Sequence, residues 1–77
     1  MEFYDLVNGV TIQSDIEVWN LDEDDNEEFV FSLDNVDDLA LCFYPEDFDE
    51  HCEVAFMYVS DGKLIIEVRN AWLPTED

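Results

Sequence analysis

The chain has 77 residues, with 22 Asp and Glu against two Lys and Arg, a formal net charge of −20 at pH 7 and an apolar fraction of 48%. That balance excludes direct nucleic-acid binding, because two cations cannot offset so many carboxylates facing phosphate, and it argues against an anionic membrane surface. Six Phe, three Tyr and two Trp exclude a disordered acidic tail, which is poor in aromatics.

One compact acidic domain over residues 1–77 is therefore expected, with a modest core. Self-repulsion among the carboxylates opposes folding, most strongly at low ionic strength. A few Asp-to-Lys replacements would relieve it, so the retained imbalance indicates that the charge is used. No basic-then-apolar N-terminal segment is present, so no signal peptide is expected. No apolar run approaches the ~20 residues that span a bilayer. Cys42 and Cys52 could form one disulfide, with two reduced thiols in a cytoplasmic protein as the expected state.

In chain order, Glu2 to Val7, then Asn8-Gly9, then Val10 reads as a β-hairpin, since Asn-Gly favours a type I′ turn. The returning strand puts Val10, Ile12, Ile16 and Val18 on one face and Asp15, Glu17 and Trp19 on the other. Ser14 interrupts the apolar face and marks a bulge or bend. The run Asp22, Glu23, Asp24, Asp25, Glu27 and Glu28 round Asn26 must be solvated, and 22–28 reads as an acidic loop at a hairpin tip. A short strand follows, with Phe29, Phe31 and Leu33 on one face.

A turn at Asp34-Asn35 and Asp37-Asp38 then leads to a strand from Leu39. The alternative is a short helix, since Val36, Leu39, Ala40 and Phe43 also have helical spacing. Pro45 ends that element. Residues 45–53 form a second acidic loop with Glu46, Asp47, Asp49 and Glu50, and with Phe48 tucked inward. The clearest hairpin joins Glu53–Val59 to Lys63–Arg69 through Asp61-Gly62. It pairs Val59 with Leu64, Met57 with Ile66 and Ala55 with Val68 on an apolar core face. The opposite face, with Val54, Phe56, Tyr58, Ile65, Glu67 and Arg69, is half apolar and should be covered in part. Ala71, Trp72 and Leu73 dock, and 74–77 is a frayed tail. The expected fold is mainly β: a small antiparallel sheet or meander of about five to six strands, with an α+β version carrying one short helix as the alternative.

Chemical motifs are sparse. Asp22, Asp24 and Asn26 match the opening of a calcium loop, but the sixth position is Glu27 instead of Gly and the twelfth is Leu33 instead of Glu. Zinc would have only Cys42, His51 and Cys52, without a recognised spacing. His51 reads as a surface residue whose acidic neighbours favour protonation. No Gly-rich phosphate loop exists, and a Cys–His pair here lacks any supporting signature. The expectation is no enzyme, no catalytic residue, no metal and no cofactor.

The carboxylates carry the functional reading. Duplex DNA presents about one negative charge per 1.7 Å of axis, and Asp and Glu accept hydrogen bonds from Arg in the bidentate manner of phosphate. The candidate partner-binding residues are Asp15, Glu17, Trp19, the carboxylates at 22–28, and Glu46, Asp47, Asp49 and Glu50. Trp19 would be an aromatic anchor ringed by charge. A solubilising surface or halophilic adaptation is the bland alternative.

In size, charge, clustered carboxylates and lack of a catalytic motif, the chain resembles the small acidic DNA-mimic proteins of phages and mobile elements, among them anti-CRISPR and anti-restriction proteins and inhibitors of uracil-DNA glycosylase. The resemblance implies a stoichiometric inhibitor in the bacterial cytoplasm. Its partner would be a basic nucleic-acid-binding protein: a CRISPR effector, a restriction enzyme or a repair enzyme. The alternative from another class is an immunity or regulatory protein that binds one cationic partner, such as a toxin, without displacing nucleic acid.

Overall fold

The computed structural model describes residues 1–9, 14–36 and 44–74, with backbone only at Asn35 and Val36. The elements in order are α1 (Phe3–Gly9), β1 (Ser14–Leu21), β2 (Glu27–Val36), β3 (Glu53–Ser60) and β4 (Lys63–Arg69). The four strands form one sheet in the order β2-β1-β4-β3. Both hairpins are antiparallel, and the central β1–β4 pair is parallel. Among the described residues the fold is mainly β with one short helix, as expected, but the antiparallel meander of five to six strands is corrected to a mixed sheet of four. The physical reason lies in strand composition. Ile16 and Val18 of β1 and Ile66 and Val68 of β4 are the residues that most need burial, and pairing these two strands places them side by side at the sheet centre. The strands carrying more exposed residues fall to the edges: β2 with its exposed Glu27, Glu28 and Asp34, and β3 with exposed Phe56, Met57, Tyr58 and Val59.

The first segment is a helix instead of a strand. Phe3, Leu6 and Val7 are all buried, at the i, i+3, i+4 spacing of one helical face. The helix ends at Asn8-Gly9, where the Asn8 Nδ2 donates to the Tyr4 carbonyl at 2.8 Å. A local Asn-Gly signal serves a helix end as readily as a hairpin turn, and only burial of the 3.6-period face decides between them.

The core lies on one face of the sheet. Phe3, Leu6 and Val7 of α1 pack with Phe48, Cys52 and Ala71 against Ile16, Val18, Phe31, Ile66 and Val68. Phe3 is fully buried and meets Phe31, Tyr44 and Phe48 edge-on, at centroid separations of 6.4, 5.7 and 5.0 Å. Edge-to-face pairs of this kind add stabilisation beyond the area they bury. Phe48 is inward, as the sequence indicates.

Three irregularities re-aim side chains. Between Val18 and Trp19 the β2 partner jumps from Phe31 to Phe29, so Val30 is a bulge. Phe29 therefore leaves the Phe31 and Leu33 face and joins Trp19 on the other. A second extra residue lies on β2 between the partners of Ser14 and Ile16, the irregularity expected near Ser14. Strand β2 thus runs on to Val36 where a turn at Asp34-Asn35 was expected. On β3, Val54 pairs with Val68 and Phe56 with Glu67, so Ala55 is the bulge and Val54, not Ala55, faces Val68. The Val59–Leu64 and Met57–Ile66 pairs form as expected. However, Met57 and Val59 are 44% and 73% exposed, because β3 is the sheet edge and the core is centred on β1 and β4.

The Asp61-Gly62 turn has φ of 53° and 77°, the paired positive values of a type I′ turn. Ala71 is buried, whereas Trp72 and Leu73 stay partly exposed. Readings placed on Val10, Ile12, residues 37–43 (Cys42 among them) and 75–77 lie outside the described residues. Among the described residues no helix is long and apolar enough to cross a membrane.

Two outcomes are expected in urea unfolding. Phe3→Ala should destabilise the chain by about 3–5 kcal/mol, the range for truncating a buried Phe. Gly62→Ala should cost about 1–2 kcal/mol, since an added Cβ there meets nothing within 4 Å and only the backbone conformation resists it.

Candidate functional site

The acidic residues singled out from the sequence occupy two places, one end of the sheet and its open face. The end is set by topology. The 22–26 loop joins the end of β1 to the start of β2. Leu21 pairs with Arg69 at the end of β4, and Arg69 pairs with Glu53 at the start of β3. The 44–52 segment leads into Glu53, so both acidic loops lie at this end. They are stitched by Trp72, whose strand-like contact with Phe48 accompanies an indole N–H donated to Glu28 Oε1.

Within the first loop, Asp22 is the organiser. Its Oδ1 accepts the backbone N–H groups of Asp24 at 2.8 Å and Asn26 at 2.9 Å. These bonds, led by the one from Asn26, hold its carboxyl below the ordinary value. The i, i+2, i+4 spacing that resembles a calcium loop is thus used as an Asx turn, and among the described residues no group of His, Cys, Asp and Glu is arranged to hold a metal. Asp25 sits at φ 61° and accepts from Arg69 Nη2 at 2.8 Å, while Arg69 Nη1 donates to the Asp22 carbonyl at 3.2 Å. Glu23 and Asp24 are exposed turn residues. Glu27 and Glu28 are also exposed but belong to β2, so the loop is shorter than the sequence indicates.

The second loop has more structural work. Asp49 Oδ1 accepts the His51 N–H at 2.9 Å, the Glu50 carbonyl accepts from Tyr4 N at 2.6 Å, and the Asp47 carbonyl accepts from Leu73 N at 2.7 Å. Asp49 and Glu50 are half-buried, whereas Glu46 and Asp47 are exposed. His51 lies 3.0 Å from Glu2 Oε1 and stacks near Tyr4. The hydrogen bond to Glu2 raises its pKa above 6.5, with Glu50 and Asp49 adding charge in the same direction. Cys52 is a free, buried thiol. Burial, then the Asp49 charge, push its pKa up to about 12, so it remains a protonated, unreactive thiol at neutral pH.

The open face lies opposite the core. Register puts Phe29, Trp19, Glu67 and Phe56 in one row across all four strands, and Ser32, Glu17, Ile65 and Tyr58 in the next. Trp19 is half-buried, stands edge-on to Phe29 at 5.2 Å, and donates its indole N–H to Glu17 Oε1 at 3.1 Å. Lys63 reaches Glu17 Oε2 at 3.2 Å. The Trp19 bond and then Lys63 lower the Glu17 pKa. Asp15, directly beside Lys63 on the neighbouring strand, completes this acidic strip.

The sequence-derived residues therefore split. Asp15, Glu17 and Trp19 belong to the open face, and the two loop clusters share the end of the sheet. Sequence reasoning missed Phe29, Phe56, Tyr58 and Glu67 as surface residues of one patch. The available signal was the half-apolar face of the last hairpin. The Val30 bulge, which adds Phe29, left none.

A scan against protein-family models, a search of curated proteins and a search of solved structures each return no match.

The raised His51 pKa has a pH signature. The Glu2–His51 pair supports the fold fully below the ordinary His value of about 6.5 and is lost as pH rises through the folded value. In an NMR titration His51 should show a midpoint above 6.5, and Glu2→Gln should bring that midpoint down. An unchanged midpoint in Glu2→Gln would show that Glu2 is not the cause.

Proposed function

We propose that this protein is a stoichiometric inhibitor that presents nucleic-acid-like negative charge to the nucleic-acid-binding surface of a bacterial defence or DNA-processing protein. A CRISPR effector is the first target class, with restriction and repair enzymes next. The observation that carries this reading is the fate of the cations. Lys63 is paired with Glu17, Arg69 with Asp25 and His51 with Glu2. The chain's Lys63 and Arg69 are thus each paired within the fold, while Glu23, Asp24, Glu27, Glu46 and Asp47 stand exposed. Such a surface steers a basic partner and meets its Arg and Lys as phosphate would.

A second reading is an immunity or regulatory protein that binds one cationic partner without displacing nucleic acid. The exposed aromatics of the open face favour it, since charge mimicry by itself needs no apolar anchor.

The test is capture from nuclease-treated bacterial lysate on immobilised protein with salt-gradient elution, followed by identification of the retained protein and competition against its own DNA or RNA. Mimicry requires one-to-one displacement and affinity that falls steeply with salt. Glu23→Lys with Asp24→Lys should weaken binding about tenfold or more, and the same reversal at Glu76 and Asp77 should do little. If the partner holds this chain and nucleic acid together, mimicry is wrong and the second reading stands.

A further inference from the structure

The open face of the sheet holds a feature that the acidic loops lack: a carboxyl set among aromatic rings. Glu67 is 7% exposed, although it lies on the face away from the core. Trp19 pairs beside it on β1 and Phe56 on β3. The Tyr58 phenol donates to it, a bond that raises the Tyr58 pKa. Beside this buried carboxyl, Phe56 and Tyr58 stand 56% and 44% exposed, and Phe29, on the far side of Trp19, is 49% exposed. A shallow depression of about 500 Å³ opens here, its lining including the buried Glu67 and Leu21, the exposed Phe56 and Tyr58, and the acids Asp25 and Glu27.

This arrangement has a definite chemical complement. A guanidinium is flat and weakly hydrated. It stacks on aromatic faces and pairs with carboxylates in the same plane, whereas a strongly hydrated ammonium does so less well. A carboxyl with one phenol bound retains further acceptor positions. The face also shows a cation in place: Glu17 accepts from the Trp19 indole and from Lys63 together. A second copy of the chain is disfavoured as occupant, because each copy brings a charge of −20 and the same carboxylates to the contact.

We propose that the open sheet face centred on Glu67, Phe56 and Tyr58 is the principal contact surface, and that it receives arginine side chains of a basic protein partner, the acidic loops serving to attract that partner. This rests on the reading of the chain as a binder of basic proteins and assigns the site within it. The exposed aromatics then supply desolvated affinity, and Glu67 with Asp25 and Glu27 supplies selection for arginine.

The experiment is an NMR titration of the full chain at about 0.15 M salt, where the screening length is ~8 Å, with a synthetic Gly-Arg repeat peptide and its Gly-Lys counterpart. The arginine peptide should bind several-fold tighter than the lysine peptide, with saturable shifts at Trp19, Phe56, Tyr58 and Glu67. Phe56→Ala, an exposed position, should weaken the arginine peptide by about two- to fivefold, as one lost cation–π contact of ~0.5–1 kcal/mol implies. Glu67→Gln, which preserves shape and an acceptor for Tyr58, should reduce the preference for arginine. Both variants should keep the dispersion of the parent spectrum.

If the two peptides bind equally, or their shifts are confined to residues 22–28 and 45–52, the face assignment is overturned while the basic-partner reading survives. If neither peptide binds, both fall together. Concentration-dependent dimerisation in sedimentation, abolished by Phe56→Ala, would make a second copy the occupant and would also overturn the proposal.

Discussion

Repulsion among carboxylates is the constraint on which the rest of this structure depends. A net charge of −20 on 77 residues favours expansion, and within about one Debye length salt gives little relief. The chain meets this by separating its chemistry in space. Apolar and aromatic side chains converge on one face of the sheet around Phe3, Ile16, Val18, Ile66 and Val68. The acidic runs are sent to a hairpin loop, to the segment before β3, and to positions flanking the sheet. Edge-to-face contacts of Phe48 with Phe3 and Phe31 and of Phe3 with Tyr44 concentrate cohesion in few residues, which suits a domain with little interior to spare.

The few polar anchors are placed where repulsion would otherwise loosen the chain. Arg69 reaches from the end of β4 to the 22–26 loop and ties down its densest carboxylates. Asp22 turns one of those carboxylates into a local acceptor for its own backbone. Lys63 bridges the central parallel pair through Glu17. His51 fastens the entry to β3 to the start of α1 through Glu2. Each cation thus closes a junction between elements and neutralises one carboxylate at that seam. Cohesion and presentation of charge are compatible because the cations act at seams.

In the proposed binding mode, steering and gripping fall to different parts of this geometry. Loop carboxylates are solvated, and solvated ion pairs contribute little individually, though their summed field accelerates encounter. Affinity needs groups that lose water on contact. On the proposed reading the open face would supply them in Phe56 and Tyr58 beside the Glu67 carboxyl, with Phe29 across Trp19.

Much of this was legible before the fold. Period-two alternation in Asp15–Trp19 assigned the correct faces, Asp61-Gly62 marked the turn of β3–β4, and the carboxylates at 22–25 had to be a solvated hairpin tip, although Glu27 and Glu28 turned out to open β2. These are local consequences of hydration and backbone preference, so residue order by itself determined them, together with the net charge. Tertiary structure decided what depends on distant neighbours. Phe3, Leu6 and Val7 became a helix because a sheet face needed covering. Strand β1 lies parallel to β4 because two hairpins bury their most apolar strands best side by side. Bulges at Val30 and Ala55 shifted alternation by one residue, which sends a side chain to the opposite face, and so brought Phe29 out beside Trp19 and turned Val54 in against Val68. A period read along one strand cannot register such a slip, since it is set by the partner strand, and the aromatic and acidic composition of the open face followed from it.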